Sequence, residues 1–189
     1  MTLIKKTAIA AVMALCPFMA QADDITDAIN EGLQGYKSGD LAKAAAQLDY
    51  ASTLIRQKKS EKIIAVFPEP KAGWQADEPQ SEAGAAMMGG GITAERQYSK
   101  GDAYIDIKLV MDSPMMQSMM AMFSNPAMIA MGGGKVIKVQ GNSAKLDVNG
   151  DQIEITLIVN NNAMITISGQ GASLDDVKSY ANGLLLNKL

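Results

Sequence analysis

The chain has no histidine, and its one cysteine, Cys16, lies close to the N-terminus. Histidine is the side chain that titrates near neutral pH unaided, and cysteine is the ready-made soft nucleophile. With the leader described below removed, neither remains. Ser-His-Asp and Cys-His centres, His/Cys zinc sites, haem held by His or Cys, and thiol redox cycles are then excluded. Aromatic residues are also scarce, with one tryptophan, five tyrosines and three phenylalanines in 189 residues. A sugar-binding cleft would have little to stack against. What is present is carboxylates, hydroxyls, lysines and 14 methionines.

The N-terminus reads as a secretory leader. Lys5 and Lys6 form a basic start, Ala8 to Phe18 an apolar run, and Ala20-Gln21-Ala22 the small-x-small pattern before Asp23. Cleavage is expected after Ala22, leaving about 167 residues, one ordinary domain with a small appendage. The apolar run is too short for a bilayer, which needs roughly 20 residues. A lipoprotein reading would make Cys16 the first mature residue, but Leu15 is bulky where a small residue belongs. The sequence therefore predicts an exported, periplasmic chain with no membrane span. Without Lys5 and Lys6, 15 basic residues face 20 acidic ones, which does not support a nucleic-acid or anionic-lipid surface. The basic run from Arg56 to Lys62 falls at a helix end, where cations favour the helix dipole.

Two patterns follow one another. Over 23–66 the period is helical: Ile25, Ile29, Leu33 and Tyr36 recur at three- and four-residue spacing, Ser38-Gly39-Asp40 breaks the run, and Leu41, Ala44, Ala45, Leu48, Ala51 and Leu54 resume it. This predicts a helical hairpin. Its order from Leu33 through Tyr36, Gly39 and Asp40 to Ala44 resembles one tetratricopeptide repeat. A single copy cannot bury both faces, so the hairpin is expected to pack on its own domain or on a partner.

Pro68 and Pro70 mark a boundary, and the second unit, 67–189, has period 2. Strands are expected at 74–77, 92–98, 103–111, 135–139, 142–148, 152–159 and 163–169. Asn149-Gly150 signals a hairpin turn, and Asn160-Asn161-Asn162 a looser one. Ser173 caps a closing helix that carries Val177, Tyr180, Ala181 and Leu184 on one face. The fold class is α+β: a mainly antiparallel sheet with an inserted and a C-terminal helix, preceded by the hairpin. Trp74 follows the two-proline segment directly and is expected to be buried where hairpin and sheet meet.

The order of elements from Phe67, with Gly73-Trp74 opening the first strand, resembles the PsbP-like α/β/α sandwich. More specifically, Phe67 to Trp74 (FPxPxxGW), Gly89 to Arg96, and Asp112 to Pro126 (DSPMMQ…SNP) resemble a family of uncharacterised exported proteobacterial proteins. The PsbP-like resemblance implies a non-enzymatic accessory or ligand-binding module.

Eight methionines fall between residues 111 and 131. After Pro114, Met115, Met119 and Met122 stack at i, i+4, i+7, and Met116, Met120 and Phe123 form a neighbouring row. Three thioethers on one face can bind Cu(I), so Met115, Met119 and Met122 are the candidate ligands for a metal-handling alternative. The same residues suit oxidant buffering, a partner groove, or plain packing on the sheet. The glycine runs at 89–91 and 132–134 lack phosphate-loop order and read as linkers. Asp147-x-Asn149-Gly150-Asp151 misses the glycine and glutamate places of a calcium loop. Carboxylate pairs Asp77-Glu78 and Asp175-Asp176 leave a hydrolase as a second alternative. The reading preferred is a binding or accessory protein, not an enzyme, without cofactor, acting on a protein or cell-envelope partner through Trp74, Met115, Met116, Met119, Met120, Met122 and Phe123.

Overall fold

The computed structural model describes residues 23–84, 91–113, 116, 120, 123, 125–131 and 133–189. The expected leader, 1–22, lies outside them. Helix α1 (Asp24–Ser38) ends at Gly39, whose φ of 81° closes the helix in the left-handed conformation. Asp40 then caps α2 (Leu41–Ile63) by accepting from the Lys43 amide. A 3-10 turn (Ile64–Val66) leads into an extended strap, 67–74.

Among the described residues eight strands follow: β1 (Gln75–Ala76), β2 (Gln80–Ala83), β3 (Ile92–Lys100), β4 (Ala103–Met111), β5 (Lys135–Val139), β6 (Asn142–Asn149), β7 (Gln152–Val159) and β8 (Ala163–Gln170). They form one antiparallel sheet in the order β1-β3-β4-β8-β7-β6-β5, with β2 also paired to β3. A short helix α3 (Pro126–Met131) precedes β5, and α4 (Leu174–Gly183) closes the chain before a 3-10 turn at Leu186–Lys188. The molecule is α+β, as the change of period predicts.

Alternation places Tyr98, Ile105, Ile107, Leu109, Ile155, Leu157, Ile165 and Ile167 on one face, all essentially inaccessible to solvent. Helix α4 covers this face with Val177, Tyr180 and Ala181. Its approach depends on Gly169: a Cβ there would lie 2.4 Å from Cγ2 of Val177. Strap residue Phe67 joins the same core, and so do Ile63 and Val66 from before it. The opposite face is polar toward one end, while Thr156 is buried and Val110, Ile158 and Met164 are half-buried on it. Gln97, Asp106, Ser168, Glu154 and Asp147 form one cross-strand row over β3, β4, β8, β7 and β6.

Three local expectations change. The β6–β7 register pairs Asn149 with Gln152, so the turn residues are Gly150-Asp151, one later than expected. Only Gly150 of that pair has positive φ, 62°. Strand β2 was not expected, because Gln80-Ser81-Glu82-Ala83 has no apolar alternation. In α1 the buried stripe is Ala28, Gly32 and Gly35, while Ile29, Leu33 and Tyr36 are exposed. The reason is steric: a Cβ on Gly35 would lie 2.9 Å from the Ala44 backbone nitrogen, so only small residues let α1 and α2 approach this closely.

Candidate functional site

The strap is held by an aromatic cluster. Lys71 to Trp74 form a turn closed by the Trp74 amide donating to the Lys71 carbonyl at 2.9 Å, with Gly73 supplying the φ of 80°. The turn sets the Trp74 ring edge-on to Tyr180 of α4, 5.5 Å between centroids at 76°. Tyr98 of β3 packs on the same tyrosine at 4.4 Å. The Tyr98 hydroxyl donates to the Pro68 carbonyl at 2.7 Å, and the Lys71 amide donates to the Tyr180 hydroxyl at 3.1 Å. Arg96 donates to the carbonyls of Pro68 and Asp77, both at 3.0 Å. Lys100 lies 5.8 Å from the Trp74 ring centre. Burial pushes the Tyr98 hydroxyl well above the ordinary tyrosine range, partly opposed by Arg96, and burial raises Tyr180 as well.

Trp74 is therefore buried, at 7% exposure, as expected. Its aromatic and cationic neighbours, Tyr180 and Lys100, belong to α4 and β3 rather than to the hairpin, so these contacts do not place it at the expected junction of hairpin and sheet. A ring so enclosed has almost no face left for a ligand. Arg96 and Tyr98, two residues apart on one strand, were not singled out from sequence. Their partner Pro68 lies about 30 positions away, beyond the reach of a periodicity argument.

Met116, Met120 and Phe123 have helical backbone, and Met116 and Phe123 are buried at 5% and 6%. Packing is thus a sufficient account of these two. Met115, Met119 and Met122, the candidate Cu(I) ligands, lie outside the described residues. Among the described residues, no three His, Cys, Asp or Glu side chains come together as a metal site.

The carboxylate pairs separate. Asp176 accepts from the Ser173 hydroxyl at 2.6 Å while its amide donates to that oxygen at 3.1 Å, a reciprocal helix cap. The Ser173 hydrogen bond holds the Asp176 carboxyl below the usual carboxylate range. Asp77 and Glu78 are exposed at the rim of an open cleft of about 520 Å³ over the polar sheet face, lined also by Glu95, Arg96, Asp106 and Lys108. Asp106 in this cleft accepts from the Gln97 amide at 2.9 Å. The Arg96 guanidinium is already engaged by two backbone carbonyls.

The hairpin offers a different surface. One side, between Asp24, Asp27 and Glu31 of α1 and Gln47 and Tyr50 of α2, is polar. Ile29, Leu33 and Tyr36 of α1, with Leu41, Leu48 and Ile55 of α2, are large apolar residues between 42% and 68% exposed.

No known protein family's sequence profile matches the chain, and no curated protein matches it either. Among solved structures, it is similar to the extracellular domain of PknH from Mycobacterium tuberculosis. The match has 11% identity over 69% of this chain and 97% of that one, with a TM-score of 0.36. No helix among the described residues is long and apolar enough to cross a membrane.

Proposed function

We propose that this is an exported, periplasmic accessory protein that acts by binding a protein or cell-envelope partner rather than by catalysis, with the helical hairpin as its binding arm. The carrying observation is the row of large apolar residues left exposed on α1 and α2 while alanine and glycine fill the interface between them. A hairpin needed only to brace the sheet would place its leucines inward. Scattered exposed apolar residues are ordinary, whereas a contiguous set on one face marks an interaction surface. The resemblance of the FPxPxxGW and DSPMMQ…SNP segments to exported proteins supports the same compartment. Trp74, Met116 and Phe123 serve in this reading as packing residues.

The test is a photo-crosslinking amino acid placed at Leu33 and, separately, at Glu31 on the polar side, with the protein expressed in its own envelope. Specific adducts are expected from position 33 and none from 31. Equal labelling, or none from 33, would refute the assignment of the arm.

A further inference from the structure

In α1, Ile29, Leu33 and Tyr36 recur at i, i+4, i+7 and lie about 100° round the helix from the buried Ala28, Gly32 and Gly35. In α2, Leu41, Leu48 and Ile55 recur every seven residues beside the buried Ala44 and Ala51. Leu48 leans over Gly32, whose missing Cβ would lie 3.0 Å from the Leu48 Cγ. The charged residues Asp24, Asp27 and Glu31 belong to the opposite side of the hairpin. The six apolar side chains therefore form one face spanning both helices, with Asp49 and Arg56 of α2 at its margin.

Resting on the reading of the hairpin as a binding arm, we infer that this face is covered by the same face of a second copy, giving a two-fold dimer through a four-helix contact. Its size fits. Side chains of about 150–200 Å², roughly half exposed, give ~500 Å² per copy, at the upper end of patches that monomers carry. Two copies would remove about 1,000 Å² of this apolar area from water, and a polar rim in the usual proportion brings the total to about 1,600 Å², the standard size of a stable interface. The chemistry fits as well. An isologous contact needs only a surface that complements itself. Paired apolar ridges on two antiparallel helices meet this condition, as in four-helix bundles.

The experiment is light scattering on the purified exported chain across the micromolar range, beside the double variant Leu33→Glu, Leu41→Glu. Leu33 and Leu41 are 47% and 65% exposed, and glutamate in the first turn of α2 suits the helix dipole. The chain is expected at twice its monomer mass, and the variant at monomer mass with an unchanged far-ultraviolet circular dichroism spectrum. Two unpaired carboxylates in the contact should weaken the dimer by about a hundredfold or more. Should the double variant misfold, Tyr36→Lys alone, at 68% exposure, carries the same test. A monomer at every concentration, or a dimer that survives the folded variant, overturns the inference. A monomer whose position-33 crosslinks go to another protein overturns the dimer and leaves the binding-arm reading intact.

Discussion

Tyr98 binds the strap through one short hydrogen bond to Pro68 and is wholly buried, so its ionisation is coupled to folding. Its folded pKa is raised above the ordinary value of about 10. The stabilisation is complete below that ordinary value and is lost progressively as pH rises from there through the raised folded value, because the unfolded chain releases the proton first. Tyr180 shifts in the same direction. We expect the urea midpoint to fall steeply above about pH 10, and to fall less steeply in Tyr98→Phe, although that variant starts lower for want of the hydrogen bond. Trp74→Ala should cost about 3–5 kcal/mol, read by denaturant unfolding, because the ring fills the space between Tyr180 and the strap. At Gly169 the smallest possible addition is enough to test the packing. Gly169→Ala drives a methyl into the fully buried, β-branched Val177 and should cost about 1–3 kcal/mol. Trp74 was legible in the sequence as a buried anchor because it follows two prolines. The identity of its neighbours was not, since Tyr180 arrives from the opposite end of the chain.

Among the elements, strands β3 to β8 were legible almost to their ends, because one face is buried and the side-chain period of 2 cannot slip without exposing it. The β6–β7 turn moved by one residue because Gly150 and Asp151 satisfy the two-residue loop, leaving Asn149 as the last paired residue. The hairpin was legible as helices but not as a packing arrangement. Large apolar residues at helical spacing looked like the buried stripe, while the alanines and glycines beside them decide how close the helices come. The other end of the chain shows a device that no local pattern reveals. The Gln140 side chain, from the β5–β6 turn, donates to the carbonyls of Ala181, Asn182 and Leu184 at 3.4, 3.2 and 2.8 Å, capping α4 from across the sheet. Gln140 itself has φ 47°, a conformation that asparagine tolerates. Gln140→Asn keeps the turn but shortens the reach, so a loss of about 1 kcal/mol in thermal or denaturant unfolding would measure the cap itself. At the opposite end of α4, the depressed Asp176 carboxyl contributes stability above its ordinary range, lost as pH falls through its folded value.

For the molecule as a whole, the physical question is where the sheet unit begins. Composition places the boundary at Phe67, where Pro68 and Pro70 end helical pattern, and a backbone argument sees nothing more. The core disregards that line. Ile63 and Val66 are 3% and 0% exposed and pack in the same cluster as Tyr98, Ile107 and Val177. The Val66 carbonyl accepts from the Leu185 amide at 2.9 Å, and the Ser60 hydroxyl meets that of Ser81 in β2 at 2.9 Å. The last turn of α2 thus belongs to the sheet, while α1 and the earlier part of α2 pack mainly on each other. Two fragments separate these descriptions. One starting at Phe67 loses two buried aliphatic side chains, each contributing about 1.5–3 kcal/mol, and leaves the Leu185 amide without its acceptor. One starting at Ser60 keeps all of these contacts and drops α1, the earlier part of α2 and the solvent-exposed Lys59–Asp112 ion pair. The longer fragment should unfold cooperatively at a denaturant midpoint close to that of the full chain, and the shorter should lose roughly 3–6 kcal/mol or fail to fold. Equal stability of the two would place the start of the core at the prolines after all.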